Sequence, residues 1–314
     1  MEPTDGTTAG IMLVALDLDG VVLRGGMVLP GAPEALADVV LRGLDLRYVS
    51  NNSTAHRETV SDRLAGMGLP AGAGRVLTSG FIAGRWLRER LPEGTPVMVV
   101  GEEGLLRELR EAGLAAYHVG DAVPGDALPG GPVRGGWVAG GVAPAAVAPA
   151  AVVVGMDRSF SYVTLAAAQA AIMDGALFVA TNRDPTFPTP NGLVPGAGSI
   201  VAAVETAAGR EPVLMGKPGC GLAEALAALT GVPAAQTLLV GDKLSTDITM
   251  GSDAGMVTAL VLTGVTSEAD LRRAEVAARA AGGVTAGPAR TPALPDHVLA
   301  DLRGLPTLLD SLGA

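Results

Sequence analysis

The chain has little cysteine, few aromatic residues and no excess of positive charge. Cys220 is its single cysteine in 314 residues, which excludes an internal disulfide and predicts a reducing compartment, the cytoplasm. Aromatic residues make up 3% of the chain and hydrophobic residues 48%, so the core must consist mainly of Ala, Val and Leu. The net charge of −10 argues against a nucleic-acid partner, because a phosphate backbone requires a basic surface.

Signals for membrane insertion are also missing. The amino terminus has no basic run ahead of an apolar stretch, so it does not resemble a signal peptide. Residues 135–156 carry no charge, but they are mainly Ala, Gly and Val, and Pro144 and Pro149 interrupt them. We therefore expect no membrane partner. The Gly/Pro/Ala-rich stretch 119–150 is expected to be an insertion with little regular structure.

Continuous apolar runs alternate with helical patterns along the chain. Ile11–Leu16 and Leu238–Val240 are apolar throughout, as in strands that are buried on both faces of a parallel sheet. Helical patterning follows the first of these runs over 33–42. This alternation predicts an α/β fold, and the length of the chain favours two domains.

Four polar motifs follow strands or lie at strand–helix junctions, where ligands of open α/β sheets bind. They are Asp17-Leu18-Asp19-Gly20, Ser50-Asn51-Asn52, Gly216-Lys217-Pro218, and Gly241-Asp242 with Asp247.

Asp17 and Asp19 lie two residues apart on an extended segment, so their carboxylates point the same way. Two close carboxylates at the mouth of a strand repel each other unless a hard cation such as Mg²⁺ binds, and Gly20 allows the chain to turn away. Taken alone, each motif has an ordinary structural explanation as well. These are an acidic turn, a helix N-cap at Ser50, a surface lysine at Lys217 and an Asp in a first helical turn at Asp247.

The four motifs in this order resemble the haloacid dehalogenase (HAD) superfamily. The section between the second and third motifs resembles the α/β cap of class IIA, the branch with 4-nitrophenyl phosphatase-like, phosphoglycolate and NagD-like phosphatases. The resemblance implies a Rossmann-like parallel-sheet core over 1–80 and 207–314, with an inserted α/β cap over 81–206 that sets substrate specificity.

The family's roles then apply to matching positions. Asp17 would be the nucleophile that forms a phospho-aspartyl intermediate, and Asp19 the general acid and base. Phosphate-binding residues would be Ser50, Asn51 and Lys217. The ligands of Mg²⁺ would be Asp17, Asp19 through its carbonyl, and Asp242, with support from Asp247 and Gly20.

Substrate specificity is expected in the segment Asn182-Arg183-Asp184-Pro185-Thr186-Phe187, which we interpret as a loop that follows a cap strand. It offers an amide, both charges and an aromatic ring. The three histidines, by contrast, show no metal-ligand spacing.

The predicted activity is magnesium-dependent hydrolysis of a small phosphorylated metabolite, with a homodimer as a possible assembly. A phosphotransferase or mutase on the same scaffold, or a non-catalytic phosphate-binding protein, are the alternatives. The complete set of Asp17, Asp19, Lys217 and Asp242 speaks against the non-catalytic protein. The sequence does not identify the substrate.

Overall fold

A computed structural model describes residues 10–122, 148–189, 192–280 and 293–314. The chain divides into two units. The first contains Met1–Val49, Asp62–Arg75 and Ala223–Ala314, and the second contains Ser50–Ser61 and Val76–Leu222. Residues 76–80 and 207–222 thus cluster with the second unit, whereas the predicted domain division assigns them to the core. That division, at 80/81 and 206/207, remains a prediction.

The strands of the described residues are β1 (Leu13–Asp17), β2 (Leu23–Arg24), β3 (Met27–Val28), β4 (Asp45–Ser50), β5 (Val76–Thr78), β6 (Pro96–Val100), β7 (Ala115–His118), β8 (Ala151–Val154), β9 (Leu177–Ala180), β10 (Thr186–Thr189), β11 (Gly192–Pro195), β12 (Val213–Leu214), β13 (Thr237–Gly241), β14 (Val257–Val261) and β15 (His297–Leu299).

The α-helices of the described residues are α1 (Ala32–Leu41), α2 (Arg57–Gly66), α3 (Ser79–Arg88), α4 (Glu103–Glu111), α5 (Tyr162–Met173), α6 (Ala197–Ala208), α7 (Cys220–Thr230), α8 (Thr249–Ala254), α9 (Glu268–Ala280) and α10 (Leu305–Ser311). Short 3₁₀ turns occur at Ala73–Arg75, Val119–Ala122, Ala234–Gln236 and Leu302–Gly304, and a π-helical turn at Leu244–Ile248.

The first unit is organised around a parallel sheet in which five strands follow the order β15-β14-β13-β1-β4. Every residue of β1 and of β13 is buried, as the continuous apolar runs predict. The central strand β1 pairs with β13 so that Leu16 lies opposite Val240. The carboxyl ends of these two strands therefore lie side by side, and each is followed by a predicted site residue.

The second unit has its own parallel sheet, in the order β12-β9-β8-β6-β7. Buried residues of β8 and β9 pack with Ile172 of α5 and Val201 of α6 in one hydrophobic cluster. The start of α5 is defined by a capping box, in which Ser161 and Thr164 each bond the other's backbone N–H. The α/β class and the parallel sheets of the prediction are confirmed.

Two features of the second unit differ from the sequence expectations. The segment expected to be a specificity loop continues into an antiparallel hairpin of β10 and β11, in which Phe187 lies opposite Val194. Phe187 is therefore a strand residue. The stretch 119–150 lies mostly outside the described residues. In the described part of the chain, none of the helices combines the length and the apolar character that a membrane crossing requires.

Candidate active site

The first motif lies at the carboxyl end of β1. Asp17 is the last strand residue and is buried, Leu18 is buried in the core, and Asp19 is exposed. Gly20 has φ 89°, a left-handed conformation that favours glycine, and its N–H donates to the carbonyl of Leu23. This turn separates a buried carboxylate from an exposed one only two residues further on.

Asp242 follows β13 directly and is also buried. Its Oδ2 accepts a hydrogen bond from the backbone N–H of Val265 at 2.6 Å, which orients the carboxylate. Two glycines leave room for it. A Cβ at Gly20 would lie 2.3 Å from Asp242 Oδ2, and a Cβ at Gly264 only 1.8 Å from it. The absence of side chains at these positions is therefore a steric requirement of the Asp242 position.

Asp247 lies in the π-helical turn after β13 and is buried. Its Oδ2 accepts from the N–H of Lys243 and from the hydroxyl of Thr246, both at 3.2 Å. Gly241 provides the space, because a Cβ there would lie 2.1 Å from Cβ of Asp247. These contacts fix Asp247 beside the carboxyl end of β13.

The carboxylates of Asp17, Asp242 and Asp247 converge, with one oxygen from each within 4.8 Å of the others. All three side chains are buried, so their mutual repulsion is poorly screened by water. Mg²⁺ binds oxygen ligands at about 2.1 Å, so ligands on opposite sides of it are about 4.2 Å apart. The spacing and chemistry of the three carboxylates fit this ion. The sequence analysis assigned Asp247 only a supporting role.

The phosphate-binding candidates belong to the second unit. Ser50, at the end of β4, is buried, and its hydroxyl oxygen accepts from the N–H of Asn52 at 3.2 Å. Lys217 is also buried and lies between β12 and α7. Its backbone N–H donates to Oδ1 of Asn51 at 2.7 Å. Within this unit, the second and third motifs are thus in direct contact.

The four specificity candidates divide into different environments. Asn182 and Asp184 contact Asn51: Nδ2 of Asn182 donates to the carbonyl of Asn51, and Nδ2 of Asn51 donates to Oδ2 of Asp184, both at 2.8 Å. Arg183 instead forms a salt bridge with Glu205 of α6 at 2.6 Å. Phe187 lies half-buried on the β10–β11 hairpin.

A second group of possible metal ligands, which the sequence analysis missed, is formed by His56, Glu108 and Glu111. The Arg57 guanidinium contacts both carboxylates and lies 2.9 Å from Glu111. Burial raises the pKa of Glu108, whereas His56 and Arg57 lower the pKa of Glu111 against the opposing effect of its burial. The positive charge that this group requires is supplied by the chain itself. Residues some fifty positions apart form it, so motif spacing gave no signal.

The chain matches two family models. One is described as haloacid dehalogenase-like hydrolase and matches residues 14–115, and the other is described as HAD-hydrolase-like and matches residues 214–305. A glycerol-3-phosphate phosphatase of Gallus gallus is 38% identical over 275 residues, which cover 86% of this chain and 86% of that protein. Chronophin of Mus musculus is 41% identical over 263 residues, or 81% of this chain and 82% of that protein.

Solved structures agree with these relatives. The glycerol phosphate phosphatase of Mycobacterium tuberculosis in complex with magnesium matches with a TM-score of 0.74 and 33% identity, covering 96% of this chain and 79% of that chain. The chain therefore belongs to the haloacid dehalogenase-like hydrolases, in their class IIA branch. Within that family it is a phosphatase, a hydrolase of phosphoric monoesters, and the cofactor of these phosphatases is Mg²⁺.

Proposed function

We propose that this phosphatase hydrolyses the phosphate monoester of a small polyol through a phospho-aspartyl intermediate on Asp17. The observation that carries the chemistry is the convergence of three buried carboxylates at the carboxyl ends of β1 and β13. The printed names of two relatives, a glycerol-3-phosphate phosphatase and a glycerol phosphate phosphatase, support the substrate class.

In the first step, a carboxylate oxygen of Asp17 attacks phosphorus while the bond from phosphorus to the leaving alcohol breaks. Asp19 donates its proton to the alcohol oxygen as it leaves. Asp19 is exposed and lies outside the group of three buried carboxylates, which suits a residue that must be protonated before reaction. The product of this step is an acyl phosphate on Asp17 and a free alcohol.

In the second step, Asp19 takes a proton from water, and the water oxygen attacks phosphorus. The bond between phosphorus and Asp17 breaks, and inorganic phosphate leaves. Mg²⁺, when held by Asp17, Asp242 and the carbonyl of Asp19, offsets the negative charge of the phosphoryl oxygens. Asp247 supports Asp242 and lies close enough to act as a further ligand.

The phosphoryl group also requires hydrogen-bond donors, and these we assign to the second unit. The hydroxyl of Ser50, the backbone N–H of Asn51 and the ammonium of Lys217 are donors of the required type. The contact between Asn51 and Lys217 supports their joint role.

Leaving-group selection we assign to Asn182, Asp184 and Phe187, with Arg183 in an indirect role through its salt bridge to Glu205. A carboxylate such as that of Asp184 accepts hydrogen bonds from hydroxyls, which suits a polyol. We further propose that the protein works in the cytoplasm and forms a homodimer, which sedimentation at several concentrations would test.

The substrate proposal is tested by assaying the purified full chain with Mg²⁺ against glycerol 3-phosphate, a nucleoside monophosphate, pyridoxal phosphate and phosphoglycolate. We expect the polyol phosphate to have the highest kcat/KM, with phosphate released to water and not transferred to added glycerol. Asp17→Asn keeps the shape of the side chain but removes the nucleophile, so kcat should fall by at least about a thousandfold. A preference for another ester would refute the polyol assignment, and residual burst release of alcohol from Asp17→Asn would refute the covalent step.

A further inference from the structure

The side-chain amide of Asn51 connects two functional segments of the second unit. Its Nδ2 donates to the carbonyl of Lys217 at 3.0 Å and to Oδ2 of Asp184 at 2.8 Å, and its Oδ1 accepts from the N–H of Lys217 at 2.7 Å. An amide nitrogen carries two hydrogens, and both are used. The side chain therefore has no donor left for a phosphate oxygen.

The Lys217 backbone is held on both its N–H and its carbonyl by this one amide. The preceding residue is packed as tightly, because a Cβ at Gly216 would lie 2.4 Å from Oδ1 of Asn51 and 2.5 Å from the carbonyl oxygen of Thr181. The Gly216 N–H donates to that carbonyl at 2.8 Å. Asn51 thus fixes the point from which the buried Lys217 side chain extends.

The segment 182–184 is attached to the same residue. Asn182 donates to the backbone carbonyl of Asn51, and its Oδ1 accepts from the N–H of Asp184 at 3.0 Å. The hydroxyl of Ser79 donates to the Asn51 carbonyl as well, at 2.8 Å, and Ser79 is fully buried. The backbone and the side chain of Asn51 therefore both anchor the segment that carries Asp184.

We propose that the side chain of Asn51 is a positioning residue that sets the Lys217 backbone and the Asp184 carboxylate together. It thereby couples binding of the phosphoryl group to selection of the leaving group. The inference rests on the proposed roles of Lys217 and Asp184. It replaces a direct phosphate contact of the Asn51 side chain, and leaves its backbone N–H available for that contact.

Two substitutions separate the two connections. Asn51→Ala removes all three hydrogen bonds of the side chain. Asn51→Asp keeps an oxygen that accepts from the Lys217 N–H, but it removes both donors and places a carboxylate against Asp184. Gln169→Ala is the matched control, because Gln169 also joins its side-chain amide to a backbone carbonyl of this unit, that of Ala207 at 2.7 Å.

The full chain is assayed with a polyol phosphate, with 4-nitrophenyl phosphate and with inorganic phosphate as an inhibitor. For Asn51→Ala we expect kcat/KM to fall about ten- to hundredfold for both esters and the inhibition constant of phosphate to rise. For Asn51→Asp we expect the polyol phosphate to lose at least about tenfold, while 4-nitrophenyl phosphate and the phosphate inhibition constant change less than about threefold. Gln169→Ala should change the melting temperature alone.

Wild-type kinetic constants in folded Asn51→Ala and Asn51→Asp would overturn the proposal, even if both melted at lower temperature. An equal loss for both esters in Asn51→Asp would overturn the separate connection to Asp184. If Asn51→Ala does not fold, Asn51→Asp alone decides. Wild-type protein that fails to turn over the polyol phosphate contradicts the proposed substrate, whereas wild-type turnover with unaffected Asn51 variants contradicts only the positioning role.

Discussion

Gly264→Ala is predicted to weaken Mg²⁺ binding without altering any ligand. The new Cβ would lie 1.8 Å from Asp242 Oδ2, and real Cβ contacts essentially never fall below 3.0 Å, so this oxygen must move by about 1.2 Å. Metal–ligand distances tolerate about 0.2 Å, so the Asp242 carboxylate would be lost as a well-placed ligand. The movement also disrupts its hydrogen bond with the N–H of Val265.

We expect the Mg²⁺ concentration for half-maximal activity to rise about ten- to hundredfold, equivalent to about 1.4–2.8 kcal/mol. The assay is hydrolysis of 4-nitrophenyl phosphate against Mg²⁺ concentration, with calorimetric titration of Mg²⁺ into substrate-free protein as a second readout. Gly66→Ala is the control, because a Cβ there meets nothing within 4 Å and the residue has no left-handed φ.

Unchanged Mg²⁺ binding by Gly264→Ala would refute the steric argument, and so would an equal loss in Gly66→Ala. If Asp242→Asn also binds Mg²⁺ normally, the assignment of Asp242 as a ligand is wrong.

Two further predictions follow from individual side chains. Asp19→Asn should lose most turnover of alkyl phosphates but retain more with 4-nitrophenyl phosphate, whose leaving group needs little protonation; an equal loss for both esters would contradict the general-acid role. Burial alone would raise the pKa of Asp157, but hydrogen bonds from His118 and Ser159 outweigh it and lower the pKa below the ordinary 3.8. Its ionised form therefore contributes stability above pH 3.8 that is lost as pH falls through the lowered pKa. Asp157→Asn should be less stable than wild type in urea unfolding at about pH 6 and no less stable at about pH 3; a constant difference would contradict this.

The chemistry of the first unit was predictable because its residues follow strands that the apolar pattern identifies. Asp17 and Asp242 come together because β1 and β13 are neighbours in a parallel sheet. The order of the strands was not readable from the pattern, since it depends on pairing between segments more than two hundred residues apart. The four-motif resemblance supplied what the apolar pattern could not.

Other elements were missed for physical reasons that differ from one to the next. Helix α4 buries Glu108 among its leucines, so a charged residue interrupts the apolar stripe that identifies an amphipathic helix. Strand β10 contains Pro188, and proline within a run argues against a strand unless it lies at an edge, as in this two-stranded hairpin. The salt bridge of Arg183 with Glu205 and the contacts of Asn51 are tertiary, so the local sequence carried no sign of them.

The central position of β1 has a consequence for the order in which the chain can fold during synthesis. Its neighbour β4 follows it within a few dozen residues, but its other neighbour, β13, begins only at Thr237. Until the ribosome has produced that segment, one edge of a fully apolar strand has no native partner, and exposed edges of this kind promote aggregation. Chains that stop before β13 are therefore expected to aggregate, because half of this sheet is not a smaller version of the whole.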